Sequence, residues 1–264
     1  MKKLSVIICI VCLLSNTIAY GNETPTTYSI NQKIEKLKQC NIINCYEDGN
    51  FYPEKNITRA EFCKMVAVMS GMDTEKSNIT NTFFSDVPKE HWANQYVMFC
   101  YDKGLVSGVM QAEKLYFVDL DENGNEVGRS EAFYKDNFNE LYGTNATIPE
   151  NLFAPNDYIS YQDALKILMC TLGYEELAKR RGDYPIGYVT AAKEIGIINS
   201  AFSNTDYISR ESAAEIIYNS LFTPLLIRRD ISDENGDRTE FFMADGKNGT
   251  QLQTLYKRHF EKHE

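Results

Sequence analysis

The chain has 264 residues, with 37 acidic and 27 basic side chains and a formal net charge of −10 at neutral pH. This excess of negative charge disfavours nucleic acid as a partner, because a nucleic-acid-binding surface needs a basic patch. The same long-range field repels anionic polymers, so binding one would require cations placed locally within a site.

The first 19 residues have the pattern of a secretory signal peptide. Lys2 and Lys3 precede the apolar run LSVIICIVCLL, and small residues close the segment at Ala19. We predict cleavage after Ala19, which leaves 25 basic and 37 acidic residues, a net charge of −12, and no membrane segment. An uncleaved membrane anchor is the minor alternative, because the apolar core is short for a membrane span.

Five cysteines follow the signal segment, and their odd number and spacing match no zinc pattern. Cys63, Cys100 and Cys170 fall within apolar helical stretches, where a free thiol packs as a small hydrophobe. A disulfide across the loop between Cys40 and Cys45 is the alternative to free thiols. We expect no metal and no cofactor.

Three segments of the chain resemble one another. The first spans 34–71, the second spans 83–174 with an insertion at about 110–150, and the third spans 183–223. A lead-in at 20–33 and a tail at 224–264 flank them. Each segment has two apolar helical stretches joined by a loop, and neither helix can bury its apolar face alone. We therefore predict a mainly α bundle of three helix–loop–helix repeats.

The second helix of each repeat begins with a hydroxyl residue that can cap it. The pairs of cap and third helical residue are Thr58 with Glu61, Ser160 with Asp163, and Ser209 with Ser212. The first pair predicts a complete capping box, in which each side chain binds the other residue's backbone N–H. The third pair predicts only the forward half. Loss of a capping hydroxyl should cost about 1 kcal/mol.

An arginine follows the cap in two repeats. Arg59 and Arg210 occupy the first helical position, where the helix dipole favours an acidic residue. Together with free N–H groups at the helix start, each arginine could bind a carboxylate or phosphate. Coincidence or shared ancestry is the alternative explanation for two arginines in three copies.

The segments NITRAEF (56–62), FFSDVPKEHWA (83–93) and DYISRES (206–212) resemble the S-layer homology (SLH) family. The resemblance covers about residues 30–223. It implies a pseudo-threefold bundle of three SLH repeats that holds an exported protein on the cell wall. In that family the ligand is a secondary cell-wall polysaccharide, a peptidoglycan-linked polymer that commonly carries a pyruvylated sugar.

The resemblance also assigns residues. Arg59 and Arg210 match the family arginine that contacts the sugar, whereas Tyr161 replaces it in the second repeat. Trp92 matches the family tryptophan that lines a sugar site, although a large aromatic near a helix start can equally be buried to close the domain. The first repeat lacks the F-x-D-V segment, and the third has only residues 183–185 there. We expect at most two well-formed grooves.

The insertion and the tail each contain turn signals. Residues 119–124 resemble the opening of a calcium loop, but the twelfth position, which should be glutamate, is Ser130. A β-hairpin with its turn at Asn123-Gly124 accounts for the same residues and is the favoured interpretation. After Pro224 we predict another hairpin, with its turn near Asn235-Gly236, and a short final helix.

The chain contains no GxSxG, HExxH or phosphate-loop motif, and we expect no catalysis. The first functional hypothesis is a secreted anchor at the cell wall that binds an anionic polysaccharide. The second is an exported scaffold that contacts another exported protein through the insertion and tail, with polymer binding weak or lost. Tyr161 and the long insertion favour the second hypothesis, and the intact NITRAEF segment and the export signal favour the first.

Overall fold

The computed structural model describes residues 28–77, 79, 81–109, 115–120, 126–132, 151–199, 207–233, 236–244 and 252–261. The predicted signal peptide lies outside them. The helices are α1 (Ile30–Gln39), α2 (Arg59–Met69), α3 (Asn94–Asp102), α4 (Tyr161–Leu172), α5 (Glu175–Arg180), α6 (Ile186–Glu194), α7 (Arg210–Phe222) and α8 (Leu255–His259). The strands are β1 (Leu115–Leu120), β2 (Glu126–Ala132), β3 (Leu226–Asp233) and β4 (Gly236–Met243). Within the described ranges, no helix is long and apolar enough to cross a membrane.

Each predicted repeat contains a pair of helices: α1 and α2, α3 and α4, and α6 and α7. The first helix starts at Ile30, before the predicted boundary, because Ser29 and Gln32 form a complete capping box there. An additional short helix, α5, follows Gly173, which ends α4 with a φ of 87°. The helix pairs pack across repeats, with α1 against α7 and α2 against α3.

One apolar core cluster draws on all three repeats. Its largest fully buried side chains include Phe62, Phe84, Phe153, Tyr174 and Tyr218. The five cysteines after the signal segment are free, so the alternative disulfide is absent. Cys63 and Cys100 are buried as expected, whereas Cys170 is only partly buried.

Three backbone hydrogen bonds join the repeats in a closed ring. Ile57 N donates to Ile208 O (3.0 Å), Ile208 N donates to Ile159 O (3.1 Å), and Ile159 N donates to Ile57 O (3.1 Å). Each isoleucine directly precedes a helix cap, and all three side chains are buried. The three helix starts are therefore held around one common point.

Both predicted hairpins are confirmed. Strands β1 and β2 pair antiparallel within the insertion, and β3 and β4 pair antiparallel in the tail. Residues 121–125, which include the predicted turn and part of the calcium alternative, lie outside the described ranges. In the part of the chain that the structure describes, no cluster of His, Cys, Asp or Glu could hold a metal ion.

Candidate functional site

The predicted hydroxyl residues cap the second helices. Thr58 Oγ1 accepts from Glu61 N (3.2 Å), and Glu61 Oε2 accepts from Thr58 N (2.9 Å), which completes the box. The matching contacts run from Asp163 N to Ser160 Oγ (3.0 Å) and from Ser212 N to Ser209 Oγ (3.2 Å). These caps fix where α2, α4 and α7 begin and therefore where the next residue projects.

Arg210 reaches from the start of α7 into the loop of the first repeat. Its Nε donates to Phe51 O (2.9 Å), its Nη2 donates to Asn44 O (2.9 Å), and its Nη1 lies 3.4 Å from Glu61 Oε1. The guanidinium also lies over the Tyr46 ring, 4.5 Å from its centroid. Only 5% of Arg210 is exposed. A charge this buried requires such partners.

Arg59 makes matching contacts with the second repeat. Its Nε donates to Phe153 O (2.9 Å), its Nη2 donates to Ser107 O (3.3 Å), and it lies 4.6 Å from the centroid of the Phe153 ring. Each arginine thus holds the carbonyl of a phenylalanine that precedes a residue of positive φ, Ala154 (56°) here and Tyr52 (51°) in the first repeat. The repeated arginines therefore have a structural role between repeats.

The backbone N–H groups at the two helix starts are already bonded. Arg59 N donates to Asp157 O (2.9 Å), Ala60 N to Pro155 O (3.1 Å), Arg210 N to Lys55 O (2.8 Å) and Glu211 N to Pro53 O (3.0 Å). The hypothesis that free helix-start N–H groups share in binding an anion is therefore wrong. A ligand beside these helices would meet side chains instead.

A cavity of about 160 Å³ opens beside Arg210. Its wall combines Arg210 from the third repeat, Trp92 from the second, and Tyr46, Glu61 and Lys64 from the first. Arg59 lines neither this cavity nor the larger one described below. The structure thus brings two of the predicted ligand-binding residues, Arg210 and Trp92, to one place and leaves Arg59 elsewhere.

Trp92 is 52% exposed, so the alternative of a buried, domain-closing tryptophan is wrong. Its ring stacks near the His91 ring, with 5.9 Å between centroids, and it lies 6.4 Å from the Tyr96 ring. An exposed indole at the edge of this cavity can stack on a planar or ring-shaped ligand.

Lys64 is a cavity residue that the sequence analysis missed. It follows Glu61 by three positions on α2, a spacing that places both on one helix face. Among the described residues, no ion pair engages Lys64. The helical spacing from the capping glutamate is the sequence signal that would have indicated it.

The electrostatics of the cavity centre on Glu61. Burial, followed by the Glu61 carboxylate, raises the pKa of the Tyr46 phenol. Tyr46 therefore stays protonated at neutral pH and donates to Glu61 Oε1 (3.2 Å). Glu61 accepts from both Tyr46 and Arg210, which fixes the guanidinium beside the cavity.

Tyr161 holds the arginine position in the second repeat. Burial, with a smaller contribution from Glu215, raises its pKa to about 12. The side chain is therefore an uncharged phenol at neutral pH and supplies no cation.

The S-layer homology domain model matches residues 29–63 and 83–109. These segments hold α1, the cap of α2 and the Trp92 region, and the match confirms the resemblance drawn from the sequence. The matched segments lie within the first two predicted repeats; the third repeat is supported by its sequence pattern and helix pair.

Several curated surface proteins are similar to the chain. A cell surface protein of Thermoanaerobacter kivui is 24% identical over 238 residues, which cover 86% of this chain and 25% of that protein. A middle cell wall protein of Brevibacillus brevis is 21% identical over 211 residues, covering 76% and 16%. A surface layer protein of Brevibacillus choshinensis is 22% identical over 205 residues, covering 75% and 15%. The chain spans a quarter or less of the length of these relatives.

Proposed function

We propose that the protein is a non-catalytic anchor that binds an anionic, pyruvylated secondary cell-wall polysaccharide. The observation that carries the proposal is the cavity in which Arg210, Lys64 and Trp92 come together from three repeats. Arg210 and Lys64 outnumber Glu61, the one carboxylate that lines this cavity, and so supply a local positive charge that a chain of net charge −10 lacks overall.

The chemistry of the cavity suits a sugar that carries a carboxylate. Among the described residues, three polar contacts engage Arg210, and a guanidinium has five N–H donors, so donors remain for a ligand. Lys64 can add a second charge-assisted hydrogen bond, and the exposed Trp92 ring can stack on the sugar. Because Glu61 and Tyr46 already fix Arg210, binding costs little side-chain ordering.

An exported location at the cell surface follows from the same set of observations. The S-layer homology match supports it, and so do relatives named for the cell surface, the cell wall and the surface layer. The predicted signal peptide agrees with it.

We further propose that the three repeats form a pseudo-threefold bundle with two charged grooves. The ring of hydrogen bonds among Ile57, Ile159 and Ile208 supports the threefold arrangement. Arg59 occupies the position equivalent to Arg210, and we assign it to the second groove. The uncharged Tyr161 makes the third groove unsuited to an anion.

A scaffold for another exported protein is the second candidate function. Ile227 and Phe242 are paired residues of the tail hairpin, and they are 45% and 37% exposed. An exposed apolar pair on a small two-stranded sheet suits contact with a protein partner. The polysaccharide proposal is favoured because the cavity joins cations and an aromatic ring from separate repeats.

Co-sedimentation with purified wall sacculi, with and without their attached secondary polymer, tests the proposal. We expect wild type to be retained only when the polymer is present, and Arg210→Ala, Lys64→Ala and Trp92→Ala to reduce retention. The matched control, Arg229→Ala, removes an exposed cation outside both cavities and should be retained.

Lys64→Ala keeps the test valid if Arg210→Ala unfolds the protein, because no ion pair of the described residues involves Lys64. Equal retention on stripped sacculi would contradict polymer recognition. Loss of retention after Ile227→Ser/Phe242→Ser, with Lys64→Ala unaffected, would instead support the scaffold function.

A further inference from the structure

A second cavity, of about 520 Å³, lies next to the first. Asn44 and Lys64 line both cavities, so the two are neighbouring parts of one cleft. The wall of the second cavity includes Tyr96 from the second repeat and His259 and Phe260 from the tail. The tail thus contributes a surface that the three repeats alone do not provide.

The tail is packed closely enough to be a fixed wall. A Cβ atom added at Gly71 would lie 2.3 Å from His259 Nδ1, so the imidazole sits directly on the Gly71 backbone. Tyr256 of α8 stacks on Phe222, with 4.7 Å between centroids, and Lys36 lies 4.7 Å from the Tyr256 ring. Contacts to two repeat helices therefore position α8.

The sizes of the cavities suit a chain-like ligand. Sites for small molecules have volumes of roughly 300–1,000 Å³. The first cavity, at about 160 Å³, is smaller than this range, whereas the second, at about 520 Å³, falls within it. A ligand held by Arg210 would therefore extend past Lys64 into the larger space.

The two cavities differ in charge. Lys64 is shared, but Asp73 and Glu75 are added in the second cavity, where Arg210 is absent. Asp73 is paired with Lys76 (2.9 Å) in an exposed ion pair, which leaves Glu75 as a further negative group. The second cavity therefore disfavours a carboxylate and suits an uncharged group rich in hydroxyls.

Aromatic and amide side chains continue from one cavity to the next. Trp92 lines the first cavity and Tyr96 lines the second, with 6.4 Å between their ring centroids. Asn41, Asn44 and Thr74 add hydrogen-bonding groups to the second cavity. This combination of ring faces and neutral polar groups can bind sugar rings in succession.

We propose that the cavity walled by His259 and Phe260 is a second saccharide subsite. It takes an uncharged sugar unit next to the anionic unit held at Arg210, and it rests on the proposed function of the first cavity. The tail is thereby part of the binding site and sets how many sugar units the protein contacts.

The test compares fragments of different length. Purified wall polymer is depolymerised under conditions that retain its acidic groups, and fragments of one and of three repeating units are titrated against the protein. We expect wild type to bind the longer fragment about tenfold more tightly. Thr74→Trp, which places a large side chain at the exposed rim of the second cavity, should abolish this preference without changing affinity for the single unit.

Thr239→Trp, an equivalent change at an exposed position of β4, is the matched control and should keep the length preference. If wild type binds single-unit and three-unit fragments equally, and this binding depends on Arg210, the second subsite alone is overturned. An undiminished preference of Thr74→Trp for the longer fragment would also overturn the second subsite. No binding of any fragment by folded wild type would overturn the proposed function and, with it, this subsite.

Discussion

Arg210 of the third repeat and Glu61 of the first lie 3.4 Å apart, from Nη1 to Oε1, with 6% and 23% of their side chains exposed. The same carboxylate completes the cap with Thr58 and accepts from the Tyr46 hydroxyl. One residue therefore joins a helix start, a loop and the cation beside the cavity. Stability and ligand binding should be coupled at Glu61.

Replacing Glu61 by glutamine should destabilise the protein by about 1.5–3 kcal/mol, the range for hydrogen bonds to charged groups, because it removes the charge that faces buried Arg210. Urea unfolding measures the change. Glu35→Gln is the matched control, since Glu35 is 65% exposed in its pair with Lys38 and should cost at most about 1 kcal/mol. Equal costs for the two variants would contradict the coupling.

Thr58→Ala should lower the free energy of unfolding by about 1 kcal/mol, because one capping hydroxyl is lost from α2. Polymer affinity, measured where the variant is fully folded, should not change. Thr74→Ala, in an exposed loop, is the control for the stability measurement only, because Thr74 lines the second cavity. Unchanged stability combined with weaker binding would place Thr58 in the ligand site instead.

Asp86→Asn should cost about 1.5–3 kcal/mol. The Asp86 carboxylate accepts from Phe153 N (2.8 Å) and Ala154 N (2.7 Å), and an amide has only one oxygen to offer. Those bonds hold the turn in which Phe153 O accepts from Arg59 Nε, so the variant should also make the Arg59 side chain more mobile. Chemical denaturation of Asp86→Asn checks the prediction, with Asp102→Asn as the exposed control. Equal unfolding midpoints for the two variants would exclude this role of Asp86.

Gly71→Ala should release the tail from the repeats. The position has a φ of 83°, and an added Cβ would overlap the His259 ring. Gly49→Ala is a matched control, because its φ is 80° and nothing lies within 4 Å of the added atom. We expect each to cost about 1 kcal/mol or more from backbone strain. Only Gly71→Ala should speed proteolysis in the tail, and equal cleavage rates would contradict the packing.

Tail docking should weaken at acidic pH. Partial burial, with Arg258 and Lys103 nearby, lowers the pKa of His259 below its ordinary value of 6.5. The folded state then binds a proton less readily than the unfolded chain. The contribution of neutral His259 to the free energy of unfolding should be fully present above about pH 6.5. It should be lost as the pH falls through the lowered pKa. Thermal unfolding from pH 7.5 to 4.5 should show this decline in wild type and His91→Gln but less of it in His259→Gln; parallel curves for all three would contradict it.

Much of the fold could be predicted because local chemistry determines it. The spacing of apolar residues indicated the paired helices, Thr58 and Glu61 indicated a capping box, and the Asn-Gly signals indicated both hairpins. Helix α5 was missed because its six residues, Glu175–Arg180, are too few for a clear apolar period.

The site was harder to predict because its contacts are distant in the sequence. Arg210 binds the carbonyls of Phe51 and Asn44, and a carbonyl partner leaves no signature in residue type. The tail posed the same difficulty, since the fit of His259 on Gly71 depends on packing that no local pattern specifies. The sequence indicated Arg210 and Trp92 individually, and only the structure placed them with Lys64.

Titration of wild type and Arg210→Ala with purified wall polymer, before and after removal of its pyruvyl groups, tests the central claim most directly. We predict that wild type binds the intact polymer about 10–150-fold more tightly than the treated polymer, equivalent to about 1.5–3 kcal/mol for a charge-assisted hydrogen bond. Folded Arg210→Ala should lose part of this discrimination, since Arg59 remains in the second proposed groove, and the folded double variant Arg59→Ala/Arg210→Ala should bind both forms with the same weak affinity. Equal binding of the two polymers by wild type, or full discrimination by Arg210→Ala, would contradict the assignment of Arg210 to the anion.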